Sequence, residues 1–391
     1  MRVFDLRRKE LKGATDAEVI QTAVSEALRG GFDAVRIPRY NRRTGETRWF
    51  VEKAIVIPSG MTILLDNVTM VQADGAYDHM FTAKKGSKNI AIIGEGQVTL
   101  SGGNPNRLQE TTQGKYGLPE ISVNAMLYFN GVDGFKADNL HIEDQRWAAF
   151  DFLHSKNIQI SHIDFFNVPK LPNLYGILIE HGCQNVAVSE VTGRTGSHTI
   201  FLRAAEKEKK ARNTDIHHVS LKNINVDPAR GAIVQFYAAG GHKIHDVAME
   251  TIFDSSDFFE KKRSAAIVAI GSEAFRPKEP SKLGDIYNVS MKCGTSRSTT
   301  GIDIESSLKD ARFETLLTFG DIINAIATKT NGVKLKNVVF DRVYHGAGIT
   351  PNCSDSFISL QARGQKVVDL DKTEGSVSLL HYYLPNEEVR E

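Results

Sequence analysis

The chain has 391 residues, 41% hydrophobic and 24% charged, which suits a large continuous core and excludes a disordered or collagen-like chain. Its 48 basic and 47 acidic residues leave a formal net charge of +1, so no overall field attracts nucleic acid or an anionic membrane. We therefore predict neither as a partner. Residues 1–10 hold no apolar run typical of a signal peptide, and Cys183, Cys293 and Cys353 lack a metal-binding spacing. Both observations favour a cytoplasmic protein with buried free thiols.

The first predicted element is a helix. Thr15-Asp16-Ala17-Glu18 reads as a capping box, and apolar residues follow at helical spacing up to Gly30-Gly31. The pattern predicts a helix over 16–28 that covers one end of the following strands. A hairpin is predicted over 41–47, and short strands are predicted at 35–38, 54–58 and 61–65.

A repeat then dominates the chain. A polar residue, often Asn, precedes an apolar-x-apolar stretch that is typical of a short half-buried strand. The irregular spacing favours a right-handed parallel β-helix, whereas helices and paired hairpin turns are too scarce for a sandwich of unrelated strands. The seven copies begin at Asn89, Asn157, Asn185, His218, Asp246, Asn288 and Asn337.

We therefore predict an all-β fold, a single-stranded right-handed parallel β-helix with an N-terminal capping helix. Residues 1–391 form one predicted domain, in which residues 1–60 supply the cap and the first strands. Alternation persists in residues 350–391, at 357–360 and 377–379, which predicts a segment that closes the solenoid.

A second strand series alternates with the first and defines the predicted site. If Phe150, Phe152, Leu202 and Phe236 point inward, the pleat places their neighbours in two outward columns. One column contains Tyr128, Asp151, Leu178, Phe201, Gln235, Ala269 and Asp303. The next contains Asn130, Leu153, Glu180, Arg203, Tyr237, Gly271 and Glu305. The turns before these strands carry Arg146, Trp147, Tyr175, Ser197, His198 and Arg230.

Several phrases resemble a known family. They are Gly13-Ala14-Thr15-Asp16, Asp144-Gln145-Arg146-Trp147, Gly182-Cys183-Gln184-Asn185-Val186 and Thr195-Gly196-Ser197-His198. From about residue 1 to 345 the chain is similar to the polygalacturonase-like enzymes of glycoside hydrolase family 28, which have the pectin-lyase-like solenoid fold. The resemblance implies a saccharide partner, pectin-type and containing uronate.

The catalytic aspartates of that family are replaced here. Tyr175 stands where the first is expected, and Ser197 and His198 replace the acidic pair. Hydrolysis with inversion needs one protonated and one ionised carboxyl group about 6.5–9.5 Å apart. Asp151 and Glu180 could supply them, with Arg203 keeping Glu180 ionised as the base and Asp151 acting as the acid. A Glu180–Arg203 pair could also be an ordinary exposed ion pair.

Two other functions stay open. The first is β-elimination, or another proton transfer on a uronate, with Tyr175 and His198 as base and acid and with Arg146, Arg203 or Arg230 holding the carboxylate. The second is saccharide binding without catalysis, because rings such as Trp147, Tyr175 and Tyr237 stack on sugars in either case. Gln235 completes the predicted substrate contacts. The sequence predicts no cofactor and no metal site; Asp303 and Glu305 alone form a weak calcium candidate.

Overall fold

The computed structural model describes residues 1–8, 11–103, 124–167, 174–205, 214–256, 266–271, 281–297, 300–318, 324–327, 333–345, 360–362, 365–369 and 373–383. Two compact units divide the chain: unit 1 comprises Met1–Leu178 and Val186–Gly196, and unit 2 comprises Ile179–Asn185 and Ser197–Glu391. The single domain stays a prediction.

Helix α1 spans Asp16–Arg29, one residue longer than the pattern predicts. Its N-terminus is capped as expected, because the Glu18 amide donates to Thr15 Oγ1 at 3.3 Å. The Glu18 carboxylate in turn accepts from the Ala14 amide at 2.8 Å. No helix in the described part of the chain has the length and apolar character needed to cross a bilayer.

Unit 1 is built from short strands, nearly all paired in parallel. They are β1 (Val3–Asp5), β2 (Ala34–Pro38), β3 (Arg48–Val51), β4 (Ile55–Val56), β5 (Thr62–Asp66), β6 (Thr69–Gln72), β7 (Phe81–Thr82), β8 (Lys88–Glu95), β9 (Thr99–Ser101), β10 (Leu127–Asn130), β11 (Asp133–Glu143), β12 (Ala148–Leu153) and β13 (Lys156–Phe166). One ladder runs β1-β2-β5-β8-β11-β13, and β3-β6-β9 joins it at β11. A second ladder runs β4-β7-β10-β12. Residues 6–8 form a 3₁₀ turn after β1, and α1 packs against β1 to β4 as the predicted cap.

The predicted hairpin over 41–47 is present as an antiparallel bridge between Asn41 and Glu46. Strands β14 (Tyr175–Glu180) and β15 (Gln184–Thr195) contain residues of both units.

Unit 2 repeats the same plan. Its strands are β16 (Ile200–Ala204), β17 (Ile216–Pro228), β18 (Val234–Ala238), β19 (Ile244–Asp254), β20 (Val268–Ile270), β21 (Ile286–Ser296), β22 (Thr300–Ile304), β23 (Leu308–Thr318), β24 (Asn324–Ala327), β25 (Val333–His345), β26 (Leu360–Ala362), β27 (Gln365–Asp369) and β28 (Thr373–Tyr383). The parallel ladders are β17-β19-β21-β23-β25-β28 and β16-β18-β20-β22-β24-β27. The alternation at 377–379 falls in β28, which continues the ladder, whereas residues 357–359 lie outside the described part.

The polar residue of every repeat bends the backbone. All seven have a positive φ, between 50° and 58°, in the left-handed region that Asn and Asp tolerate best. Side chains at corners of neighbouring coils also bond to one another: Asn288 Nδ2 donates to Asp246 Oδ1, and Asn337 Nδ2 donates to Oδ1 of Asp310, another residue with positive φ, at 2.8 Å. The repeat therefore marks the place where each coil turns a corner.

A second corner follows five residues later in the long strands. Its φ lies between 51° and 60°, and its residues are His162, Glu190, Asn223, Thr251, Cys293 and Arg342. These strands are therefore bent twice and contribute two faces of the coil.

The predicted inward faces are confirmed. Each of the following side chains has 0% exposure: Phe150, Phe152, Ile177, Ile179, Ile200, Leu202, Val234 and Phe236. Parallel pairing stacks them coil on coil, because Leu202 is the register partner of Phe236 and Phe236 that of Ile270. The core of each unit is a continuous apolar column.

Replacing Leu202 by Ala should lower the free energy of unfolding by about 2–5 kcal/mol, because it leaves a cavity in a 0% exposed layer. Leu28→Ala is the matched control, since Leu28 is 54% exposed on α1, and it should cost no more than about 0.5 kcal/mol. Denaturant unfolding measures both. Equal effects of the two substitutions would show that the inward face is assigned wrongly.

Candidate functional site

The predicted columns exist in each unit. In unit 1, Tyr128 pairs in register with Asp151. In unit 2, Phe201, Gln235, Ala269 and Asp303 lie in one row, and Arg203 pairs with Tyr237. The two columns point away from the core, yet they are largely covered: Asp151 and Glu180 are each 3% exposed and Gln235 is 2% exposed. The site residues are therefore far less solvated than an open solenoid face implies.

A compact polar cluster forms in unit 2 around Glu180. The Arg203 guanidinium contacts the Glu180 carboxylate, and the Arg203 side chain keeps 33% exposure while the Glu180 side chain keeps 4%. Tyr237, 8% exposed, lies beside Arg203 in the next coil. We call Glu180, Arg203 and Tyr237 the unit 2 cluster. The ion pair is buried on its acidic side, so it is not the exposed pair that the sequence left open.

Burial and Arg203 act on the Glu180 carboxyl in opposite directions. Burial raises the pKa of this carboxyl, because removal from water favours the protonated form, and this effect outweighs the charge and hydrogen bond of Arg203, which lower the pKa. The role of Glu180 as an ionised base stays a prediction from the sequence, and the direction of the shift favours the protonated form.

His181, which the sequence analysis missed, follows Glu180 directly. It is 8% exposed, and its Nδ1 accepts from the Ala205 amide at 3.3 Å, so it fastens the end of β14 to the end of β16. No spacing or motif marks this histidine in the sequence.

His198 is held by the main chain of a neighbouring turn. Its Nδ1 accepts a hydrogen bond from the Ala232 amide at 2.9 Å, which places the imidazole proton on Nε2 in the neutral form. Burial lowers the pKa of His198 to about 4, so the ring is neutral at pH 7. A neutral imidazole with Nδ1 engaged in this way is a hydrogen-bond donor at Nε2 and not a strong acid.

Gly231 makes this contact possible, and no motif in the sequence indicates it. A Cβ on Gly231 would lie 2.6 Å from the His198 amide nitrogen and 2.7 Å from its Nδ1. Any side chain at 231 would therefore displace His198, so Gly231 is a positioning residue for this histidine.

An aromatic pair forms in unit 1. The rings of Trp147 and Tyr175 meet edge to face with centroids 4.7 Å apart, and the Tyr175 amide donates to the Trp147 carbonyl at 2.9 Å. Trp147 is partly exposed, whereas Tyr175 is 6% exposed. Trp147 is therefore the accessible ring of the pair and the better platform for a sugar face.

Two side chains predicted to contact substrate, Arg146 and Gln235, bond instead to main-chain carbonyls. The Arg146 guanidinium donates to the carbonyls of Gly102, Ala76, Gln72 and Ala73 at 2.6–2.9 Å, and burial lowers its pKa to about 10. Gln235 Nε2 donates to the Gly271 carbonyl at 2.5 Å and to the Phe236 carbonyl at 2.9 Å. Both side chains hold the main chain of neighbouring coils, which favours structural roles. Arg230, by contrast, is exposed in the turn before β18.

Metal-binding groups do not converge in the described residues, where no set of three His, Cys, Asp or Glu side chains is placed to hold an ion. Asp303 and Glu305 lie on alternate positions at the end of β22. Cys183 is a buried thiol outside any disulfide, as predicted, but Cys293 is only half-buried and occupies the second corner of β21. Cys353 lies outside the described residues.

These features define the fold: a right-handed parallel β-helix. The chain is similar in structure to an exopolygalacturonase from Thermotoga maritima (TM-score 0.67, 12% identity, 99% of this chain and 92% of that one). It is also similar to a polygalacturonase from Erwinia carotovora ssp. carotovora (TM-score 0.58, 13% identity, 97% of this chain and 95% of that one). A third similar structure is PfbA, a surface adhesin of Streptococcus pneumoniae (TM-score 0.61, 14% identity, 98% of this chain and 92% of that one).

At these identities the likeness shows the fold. No family model matches the chain, and no curated protein matches it by sequence. The Glu180–Arg203 pair, the His198 contact and the Trp147–Tyr175 pair are therefore interpreted from this chain's own geometry.

NMR titration should show His198 neutral down to about pH 4, with its proton on Nε2. His141 is the internal contrast, because its hydrogen bond to Asp164 raises its pKa above 6.5. The unfolded chain protonates His198 near its ordinary pKa and the folded chain does not, so this residue lowers the folded state's stability as pH falls from about 6.5 to 4. An ordinary titration of His198 near pH 6.5 would contradict the placement of its ring.

Proposed function

We propose that this protein cleaves glycosidic bonds in a uronate-containing oligo- or polysaccharide, with Glu180 as the proton donor. The observation that carries the proposal is the buried Glu180 carboxyl in contact with Arg203. A glycosidic oxygen must be protonated as it leaves, and a carboxyl whose pKa is raised by burial keeps the proton that this step needs to a higher pH than an ordinary glutamate does. The polygalacturonase-like fold supports the substrate class.

Arg203 has two uses in this mechanism. It fixes the orientation of the Glu180 carboxyl, and its partly exposed guanidinium retains donors for an acidic sugar. A planar guanidinium matches a carboxylate, so a uronate could bridge to Arg203 as Glu180 donates its proton. Tyr237 lies next to Arg203 and offers a hydroxyl and a ring face to the same sugar.

Glu180 as the acid reverses the role expected for it from the sequence, where it was the base. Asp151, the other carboxylate of the pair expected from the sequence, stands in the outward column of unit 1 in register with Tyr128. Its part in the reaction stays a prediction from the sequence.

Hydrolysis is preferred to β-elimination because of His198. Elimination from a uronate needs an effective base and acid close to neutral pH. His198 has a pKa of about 4, and its Nδ1 accepts from Ala232, so it serves better as a fixed hydrogen-bond donor to a substrate hydroxyl.

Saccharide binding without catalysis is the second candidate. One of the similar structures is a surface adhesin, so this fold also occurs in a protein described by a binding role. The Trp147–Tyr175 pair would bind a sugar ring equally well in either case.

Glu180→Gln should lower turnover by about two orders of magnitude or more, because an amide cannot donate the proton. The matched control is Glu250→Gln, which removes an exposed carboxylate 3.4 Å from Lys222 in the same unit and should leave turnover unchanged. Oligogalacturonates and neutral oligosaccharides are incubated with each protein, and reducing ends and unsaturated uronate absorbance are both recorded. Reducing ends without absorbance support hydrolysis; a rise in both indicates a lyase. Saccharide binding with neither signal indicates the binding candidate.

The pH profile tests the role of Glu180 separately. If Glu180 is the acid, the rate falls as pH rises through its raised pKa. Arg203 lowers that pKa, so Arg203→Gln should move the falling limb to higher pH while weakening binding of the acidic substrate. A limb that stays in place or moves to lower pH would contradict the assignment.

A further inference from the structure

Unit 1 contains a cavity of about 630 Å³ that the proposed site does not use. It lies on the outward face of β6, β9, β11 and β13, next to the hairpin that precedes β3. Its polar lining includes Arg39, Arg48, His141 and His162. The sequence alone did not point to this surface, because the residues that line it are spread over 39–48, 67–69, 96–99, 139–141 and 162–164.

Parallel register builds the floor of this cavity. Arg48 pairs with Thr69, Thr69 with Thr99, Thr99 with His141, and His141 with Asp164. The row therefore presents one polar side chain per strand at a spacing of about 4.8 Å. That spacing is close to the length of one hexopyranose in an extended chain, so successive sugars could meet successive members of the row.

Both histidines are oriented by carboxylates. His141 Nδ1 lies 2.7 Å from Asp164 Oδ2, and His162 Nδ1 lies 2.8 Å from Asp138 Oδ1. Asp164 is fixed in turn by the Thr192 hydroxyl, which donates to Oδ1 at 2.7 Å. In both rings Nδ1 faces a carboxylate, which leaves Nε2 as the atom that can bond to a ligand.

Arg39 and Arg48 give the cavity its positive charge. Arg36 and Arg43, from the same segment, pair with Glu95 and Asp16 at 2.9 and 2.7 Å. Arg39 and Arg48 are exposed, and neither forms an ion pair with any residue that the structure describes. Two guanidinium groups without a carboxylate partner at one cavity favour an anionic ligand.

The cavity continues into a second one of about 490 Å³, which shares Arg48 and Thr69. The second part is lined by Phe50, Ser101 and Glu143, and Phe50 is 36% exposed. Glu143 and the nearby Asp74 would repel an anion there, whereas Phe50 can pack against a sugar face. An elongated ligand with its acidic group at the arginine end fits both parts.

We propose that this groove binds an oligosaccharide carrying an anionic group, a carboxylate or a sulfate ester, with the anion held by Arg39 and Arg48. His141 and the threonines of the row then contact the neighbouring hydroxyls. In this proposal the role of the groove is to hold the polymer.

The test uses the full chain with isotope-labelled histidines. Oligogalacturonate, a sulfated galacto-oligosaccharide, a neutral oligosaccharide and inorganic sulfate are titrated separately, and the ring signals of His141 and His162 report binding in the groove itself. We expect either or both acidic oligosaccharides to shift these signals, with affinity falling as salt rises, while the neutral one does not. The double variant Arg39→Gln/Arg48→Gln should weaken this binding at least about tenfold.

Arg42→Gln is the matched control, because Arg42 is an exposed arginine of the same hairpin that does not line the cavity. Equal binding of the neutral oligosaccharide would overturn the charge argument. If inorganic sulfate bound as tightly as the oligosaccharides, the proposal of a saccharide ligand would be wrong, and the groove would be a small-anion site. Unchanged affinity in the double variant would overturn the assignment to the arginines. Glu180→Gln should not affect the shifts of the His141 signals. Loss of the groove proposal would therefore appear in the histidine signals, whereas loss of the proposed hydrolysis would appear in turnover.

Discussion

Parallel pairing in register, repeated from coil to coil, is the constraint on which the rest of this structure depends. It puts the same position of every coil in one row, so a single side-chain position becomes a column. Apolar positions form the core columns, such as Leu202, Phe236 and Ile270. Polar positions form the surface rows, such as Thr69, Thr99 and His141. A ligand site in this fold is therefore a segment of one or two rows, and its chemistry changes with each coil.

The corners make that register possible. A strand can change direction without losing its ladder only if one residue takes a left-handed conformation, and Asn does so at low cost. The amide side chain then bonds to the next corner, as Asn337 does to Asp310 at 2.8 Å. This is why a repeat of Asn followed by apolar-x-apolar in the sequence predicts the coil. The second corner was not predicted because its residues, among them Glu190, Thr251 and Arg342, share no side-chain chemistry.

Much of the candidate site could be predicted from alternation. The face of each residue and the Arg203–Tyr237 neighbours follow from the period of two and the order of coils. The depth of burial could not, because alternation tells only on which face a side chain lies and not how much of it water reaches. The rise that burial causes in the pKa of Glu180 and the close approach of Gly231 to His198 were therefore not predicted. The cytoplasmic location and the single domain stay predictions.

The arginines show how burial and pairing divide one residue type among different roles. Arg146 is surrounded by main-chain carbonyls, and its charge there serves to join three separate turns. Arg203 is paired with a buried carboxyl and can act on a ligand only while it also sets the proton affinity of Glu180. Arg39 and Arg48 are exposed beside a cavity and meet no described carboxylate.

Only this last kind of arginine keeps the full hydrogen-bonding capacity of a guanidinium for a partner from solution. An anion that binds there gains contacts without breaking any that the folded chain already has. At Arg203 the same anion must compete with Glu180, so binding and proton transfer are coupled. The groove and the unit 2 cluster thus differ in a physical sense: a site that only holds a ligand can leave its cations unpaired, whereas a cation engaged with an acid also sets the proton affinity of that acid.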